Sequence, residues 1–361
     1  MKTMIGVHLT HHGGLEALDY RIDLPVPEPA ADQALIRVLA AGVNNTDINT
    51  RIGWYSKSVT GDTNAGAAEG FDEPVDEDAS WSGEPLALPR IQGADIAGIV
   101  QAVGSQVDPG LIGRRVLVAT MQQDPAYPDD PFRTWTCGSE CDGGFAQYTI
   151  QRADQVFPVD CDWSDVELAS IPCAYSTAEG MLTRAQVGAE TVLITGASGG
   201  VGSAAIQLAK RRGARVIAQC GADKRDAVLA VGADQVIERG QHPSQVLGQE
   251  TVGVVVDLVA GPQWPDLLDV LKRGGRYVAS GAIAGPIVEL DVRTLYLKDL
   301  TLIGSTAQPR QVFENLVGYI ERGEIRPLVA KTYPLQDIRQ AQQDFMAKAF
   351  TGKLVLIPPG D

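Results

Sequence analysis

The chain has 361 residues, 30 Lys and Arg against 45 Asp and Glu, and a formal net charge of −15. That length leaves room for two domains with separate cores. The acidic balance, with no long basic run, argues against nucleic acid or an anionic membrane as a general partner. The start, Met1 to Val7, lacks the apolar core of a signal peptide, and no stretch reaches the roughly 20 apolar residues of a membrane span. Five cysteines form no evident disulfide framework, so a soluble, cytoplasmic protein with free thiols is expected.

Along the chain, the first part reads as mostly β. His8, His11 and His12 fall in an expected first hairpin, where exposed polar side chains are a simpler reading than a metal site. Residues 33 to 43 alternate as a strand does, and Gly98 to Val100 and Arg115 to Val118 follow as further strands around a Pro-Gly turn. Between them, Ser56 to Pro89 carries Asp72, Glu73, Asp76, Glu77 and Asp78 and reads as a long solvated loop. A second irregular stretch, Gln122 to Gly144, precedes strand character at Phe145 to Ile150. Ser164-Asp165-Val166-Glu167 is a capping-box pattern that opens a helix.

From Thr191 the pattern alternates strand and helix. Strands are expected at 191–195, 215–219, 235–238, 253–257, 277–280 and 300–304, which together make a doubly wound parallel sheet. The most informative run is Thr195-Gly196-Ala197-Ser198-Gly199-Gly200-Val201-Gly202, between the first of these strands and a helix over Ser203 to Lys210. Glycines there let the backbone turn tightly and approach a pyrophosphate, and the helix start offers free N–H groups to the anion.

These residues, with Ala40 to Asp47, Gly93 to Val100, Gly113 to Val116, Gly143 to Tyr148 and Gly352-Lys353, resemble the medium-chain dehydrogenase/reductase superfamily. Within it they resemble the zinc-independent quinone oxidoreductase-like branch, over nearly the whole chain. The resemblance implies an α/β protein with an alcohol dehydrogenase-like fold. A GroES-like β-rich catalytic domain (1–155 and 303–361) would flank a Rossmann NADP-binding domain (156–302), with the active site in the cleft between them. It also implies a homodimer or homotetramer.

In the zinc alcohol dehydrogenases of this superfamily, Cys, His and Cys hold the catalytic metal. Here those places carry Asn44, Ala94 and Cys173, which leave a lone thiol where a tetrahedral site needs several donors. Cys173 is expected to be an inert buried thiol. The structural-zinc lobe retains only Cys137 and Cys141. No metal is therefore expected. The glycine run also resembles the short-chain reductase motif, but none of the nine tyrosines has a lysine four positions on, and that reading fails.

The strand that should end in an acid for NAD ends Ala218-Gln219-Cys220-Gly221. Lys224 and Arg225 follow, and they suit the 2′-phosphate of NADP(H). Thr177, Gly196, Ser198, Gly199, Gly200, Val201, Gly202, Ser280, Gly281 and Lys353 complete the expected cofactor set. The catalytic candidates are Asn44, at the first former ligand position, and Tyr55, as a hydrogen-bond or proton donor to a substrate oxygen. Asp47 is expected to hold local backbone. The expected reaction is hydride transfer from NADPH to a small-molecule quinone or α,β-unsaturated carbonyl, whose product charge is delocalised and manages without a Lewis acid. A non-catalytic NADPH-binding protein and an alcohol dehydrogenase acting on alcohol/carbonyl pairs are the alternatives.

Overall fold

The computed structural model describes residues 2–71 and 76–360, so Asp72 and Glu73 of the acidic segment lie outside the described residues. Two large sheets organise the chain. The first has seven strands. Val156–Pro158, Arg115–Val118, Ala97–Val103, Gln33–Val43, Lys353–Ile357 and Val329–Pro334 lie in that order, and Tyr148–Arg152 pairs with Gln33–Val43. A smaller sheet of Leu18–Pro25, Thr3–Leu9 and Arg90–Ile91 completes this β-rich body. The first hairpin forms as expected, with Thr3–Leu9 antiparallel to Leu18–Pro25. Its histidines do not converge: His12 Nδ1 meets Thr50 O at 2.9 Å while His11 stands near Glu16.

The second sheet has six parallel strands in the order Gln235–Glu238, Arg215–Cys220, Thr191–Ile194, Val252–Asp257, Leu271–Ala279 and Thr301–Gly304. The order reverses on either side of Thr191–Ile194, and ligands bind at such a switch point beyond the carboxyl ends of the strands. The strands are aliphatic because helices cover both faces. Val192, Ile194, Val216 and Val254 pack on one side, and Leu193, Ile217, Val255 and Leu267 on the other. The fold is thus α/β, a GroES-like body joined to a Rossmann-like body.

The chain leaves and rejoins the first body later than the pattern suggested. Val156–Pro158 still pairs with Arg115–Val118, so the parallel body starts with the helix Pro172–Arg184 rather than at 156. The expected return at 303 falls inside its last strand. The following helix, Arg310–Glu321, buries Phe313, Leu316 and Ile320 in the same core as Pro172–Arg184. Only at Val329–Pro334 does the chain re-enter the seven-stranded sheet. Amphipathic periodicity marks a helix face without naming the sheet it covers.

The segment from Ser56 to Pro89 also differs from expectation. Its described part is not simply solvated: Val59 and Ala79 are buried and pack with Trp54 and Phe71. Asp62 caps a short helix, Thr63–Gly66. This local core carries Trp81 into the space between the two bodies.

Candidate active site

A cleft of about 550 Å³ runs between the two sheets. One wall is the glycine run. Thr195 Oγ1 donates to Asp257 Oδ1 at 2.6 Å and accepts the Leu258 N–H at 2.9 Å, which anchors the loop to the next strand. Gly196 has φ +59°, a conformation that favours glycine. A Cβ on Gly202 would lie 2.3 Å from Gly196 O, so the helix Gly200–Arg211 can begin this close to the strand only without a side chain there. By contrast, a Cβ on Gly199 would meet no protein atom closer than 3.5 Å. The cap of the helix is thus open at Gly199, while a Cβ on Gly200 would lie 2.7 Å from Lys353 Cδ; this helix start fits a dinucleotide pyrophosphate.

Thr177, Gly196, Gly199, Gly200, Val201, Gly202, Ser280, Gly281 and Lys353 all line this cleft, as do Asn44 and Tyr55. Ser198, Lys224 and Arg225 do not stand in its walls. Ser198 is buried and gives its carbonyl to the Gly352 N–H at 3.1 Å, which ties the loop to the C-terminal segment. Lys224 is buried, and its ammonium is bonded to the Lys348 carbonyl. Arg225 is exposed and reaches Val236 O only at 3.5 Å.

A second cation therefore stands beside Lys224. Lys348 follows the helix Ile338–Ala347, and its ammonium lies 4.1 Å from the centre of the Phe345 ring and 3.4 Å from Asn45 Oδ1. Burial, then the charges of Lys224 and Arg239, lower its pKa to about 8. Lys348 itself lines the cleft. Lys224, Lys348 and Arg239 thus lie near one another beyond the end of Arg215–Cys220, with Asp223 in the turn beside them.

At the centre of the cleft lies a buried polar cluster. Asn44 precedes the helix Asn45–Ile52, and its backbone N–H donates to Asp47 Oδ2 at 2.7 Å while its side chain closes the reciprocal cap. Its Nδ2 donates to Asp95 Oδ2 at 2.7 Å and to Gly42 O at 3.3 Å, and its Oδ1 accepts from the Lys353 ammonium. The amide is thus fully engaged by protein, which fits a positioning role rather than direct contact with substrate. Lys353 is engaged likewise, with Val43 O at 3.1 Å and Asp95 Oδ2 at 2.8 Å. Asp47 also accepts the Ala94 N–H at 3.2 Å, the backbone role expected of it, and burial raises its carboxyl to about 7.

The three former ligand positions do not fit a zinc ion. Asn44 has spent its amide, Ala94 has no donor atom, and burial pushes the remaining Cys173 thiol up, further from the thiolate that would bind metal. Among the described residues no group of three or more His, Cys, Asp and Glu could hold a metal.

The opposite wall is aromatic. The Tyr55 hydroxyl donates to Thr46 Oγ1 at 3.1 Å, and burial pushes the phenol up, so it stays protonated through the neutral range. The Trp81 ring meets Tyr55 edge-on at 4.7 Å, and Trp54 does the same at 5.7 Å. Trp81 was missed from sequence, although an indole in an otherwise acidic segment gains little from solvent.

A glycine loop at the switch point of a parallel sheet, facing a second domain across a deep cleft, defines a nicotinamide-dependent oxidoreductase. Comparison with known proteins agrees. Residues 30–161 match the alcohol dehydrogenase GroES-like domain and residues 200–322 the zinc-binding dehydrogenase family. A solved structure from Sinorhizobium meliloti 1021, provisionally assigned as an alcohol dehydrogenase, is 46% identical; the match covers 99% of this chain and 98% of that one, with a TM-score of 0.88. Quinone oxidoreductase of Mus musculus is 29% identical over 99% of this chain and 98% of its own. Acryloyl-coenzyme A reductase of Metallosphaera sedula is 28% identical over 91% of this chain and 93% of its own. The chain belongs to the medium-chain dehydrogenase/reductase superfamily and resembles its quinone oxidoreductase-like branch.

Proposed function

We propose that the protein is a zinc-independent, cytoplasmic reductase that uses NADPH to reduce a quinone or an α,β-unsaturated carbonyl compound. The observation that carries this reading is the pairing, across one cleft, of the glycine loop with the Tyr55 and Trp81 rings, over a former metal site that no longer fits a metal. NADPH supplies the hydride. The chain supplies the rest.

Hydride addition to a plain ketone concentrates charge on one oxygen, which a metal usually stabilises. Addition to a conjugated acceptor spreads the charge, and a single well-placed donor then suffices. We assign Tyr55 to that role, since rotation about its C–O bond exchanges Thr46 for the acceptor oxygen. Trp81 and Trp54 suit a flat acceptor, whose faces and edges pack well against aromatic rings. The names of the relatives, one a quinone oxidoreductase and one an enoyl-thioester reductase, support both acceptor classes.

The cation cluster supports NADPH over NADH. A 2′-phosphate beyond the end of Arg215–Cys220 would meet Lys224, Lys348 and Arg239, three positive charges against the single negative charge of Asp223 in the turn that follows. Arg225, expected from sequence, is replaced in this reading by Lys348 and Arg239.

A homodimer belongs to the same reading. Among the described residues the strand Thr301–Gly304 is an edge, paired with Leu271–Ala279 alone; Leu302 on it and Ile287, Val292, Tyr296 and Leu297 in the segment before it are exposed. A second copy would cover both the open edge and the apolar patch. Sedimentation of the wild type at the mass of two chains, and of a Leu302→Lys variant at one, tests this.

Turnover is tested by following NADPH consumption with a series of quinones and enones. Tight NADPH binding without turnover would favour a non-catalytic binding protein instead.

A further inference from the structure

Two of the five unpaired cysteines share one loop. Cys137 and Cys141 are partners in an isolated parallel bridge, and the Gly138 N–H donates to Cys141 O at 2.8 Å, so the loop closes on itself. The bridge sets the two cysteines side by side. Cys137 is buried, receives Gln122 Nε2 at 3.2 Å and lies 3.6 Å from Ala119 O. The neighbouring Cys141 and burial push its thiol up. Cys141 is partly exposed.

The residues between them hold one wall of the cleft. Ser139 Oγ accepts the Trp81 N–H at 3.1 Å. Glu140 accepts the Ser82 N–H at 2.8 Å and the Thr136 N–H at 2.9 Å. Trp81 and Thr136 both face the cleft. Any change in the path of residues 137–141 is thus passed to the backbone that carries the Trp81 ring.

We infer that Cys137 and Cys141 form a reversible redox pair whose oxidation to a disulfide displaces the Trp81 wall of the cleft. The oxidant is a hydroperoxide. The accessible Cys141 sulfur attacks the peroxide, becomes a sulfenic acid and releases an alcohol, or water where the oxidant is hydrogen peroxide. The Cys137 sulfur then attacks the Cys141 sulfur. The S–S bond forms, the S–O bond breaks, and the Cys137 proton leaves with the hydroxide as water. Two thiols have lost two hydrogens and one peroxide bond has been reduced; an external dithiol reverses the change. Forming the S–S bond draws the partly exposed Cys141 toward the buried Cys137, and Ser139 and Glu140, which lie between them, carry that change to Trp81 and Ser82.

The test uses the full chain treated with hydrogen peroxide, with peptide mass mapping and tryptophan emission as readouts. The expected result is loss of two hydrogens on the peptide that spans Cys137 and Cys141, together with an emission change that dithiothreitol reverses. Cys141→Ser and Trp81→Phe variants should lose the emission change. A Cys137→Ala variant should stop at the sulfenic acid and be trapped by dimedone. A bridge between other cysteines, over-oxidation of Cys141 without a bridge, or a 137–141 bridge with unchanged emission would each overturn the inference. An emission change of equal size in Trp81→Phe would do the same.

Discussion

The Lys353 ammonium lies 2.8 Å from Asp95 Oδ2 across 258 residues of chain, and Asp95 Oδ1 accepts the backbone N–H of Cys173 at 2.6 Å. One carboxylate therefore joins the C-terminal strand, the segment before Ala97–Val103 and the first turn of the helix Pro172–Arg184. It does so beside Asn44 and Cys173, to which it is hydrogen-bonded. The side chains of the pair are 4% and 0% exposed, so neither charge has water as an alternative partner.

Lys353→Met should cost about 3–5 kcal/mol, because it leaves a buried carboxylate unpaired. Urea unfolding measures this. The double variant with Asp95→Asn should recover part of the loss, since the uncompensated charge is then gone. A single variant within about 1 kcal/mol of wild type would mean that the pair is solvated in a way its burial does not suggest.

Lys348→Ala should weaken NADPH binding about tenfold, or about 1.4 kcal/mol, and leave NADH binding nearly unchanged. The pH dependence has a defined sign. Lys348 is lowered to about 8, and a bound 2′-phosphate favours its charged form. NADPH affinity should therefore fall as pH rises through 8, while NADH affinity stays flat. Parallel titrations at several pH values check both statements.

Asp47 should leave a mark on the pH dependence of stability. Burial raises its pKa from an ordinary 3.8 to about 7, so between those values the folded chain holds a proton that the unfolded chain releases. Its contribution to stability is thus full below pH 4 and is lost as pH rises to 7. The melting temperature of Asp47→Asn relative to wild type should accordingly rise across that window. A difference that is flat from pH 4 to 7 would contradict the raised pKa.

Trp81→Ala should raise the KM for a flat acceptor about tenfold with NADPH affinity unchanged. The ring faces Tyr55 rather than the glycine loop, so its loss removes acceptor contact alone. Steady-state kinetics beside a nucleotide titration separates the two effects.

The parts of this picture that were legible in sequence are the local ones. The strand Gln235–Glu238 and the Gly196 to Gly202 turn depend on residues close together in the chain, and periodicity and glycine spacing report them directly. Asn44 was located from its motif, but its engagement with Lys353 spans 309 residues, and no local pattern records it. Lys348 and Arg239 were missed for the same reason: cations from distant segments meet only when the C-terminal helix docks. Trp81 was hidden because composition averages over a segment, whereas Val59 and Ala79 make a small core of their own within it. The boundary at 303 failed because an edge strand and a covering helix look alike whichever sheet they join.

Reduction by NADPH without zinc is tested by the rate of NADPH consumption when the purified protein is mixed with a quinone and, separately, with an enone, with NADH as the parallel donor. Catalytic turnover with NADPH should persist after exhaustive chelation and fall steeply when NADH replaces it. Turnover that requires added zinc, preference for NADH, or oxidation of a simple alcohol in place of reduction of either acceptor would contradict it.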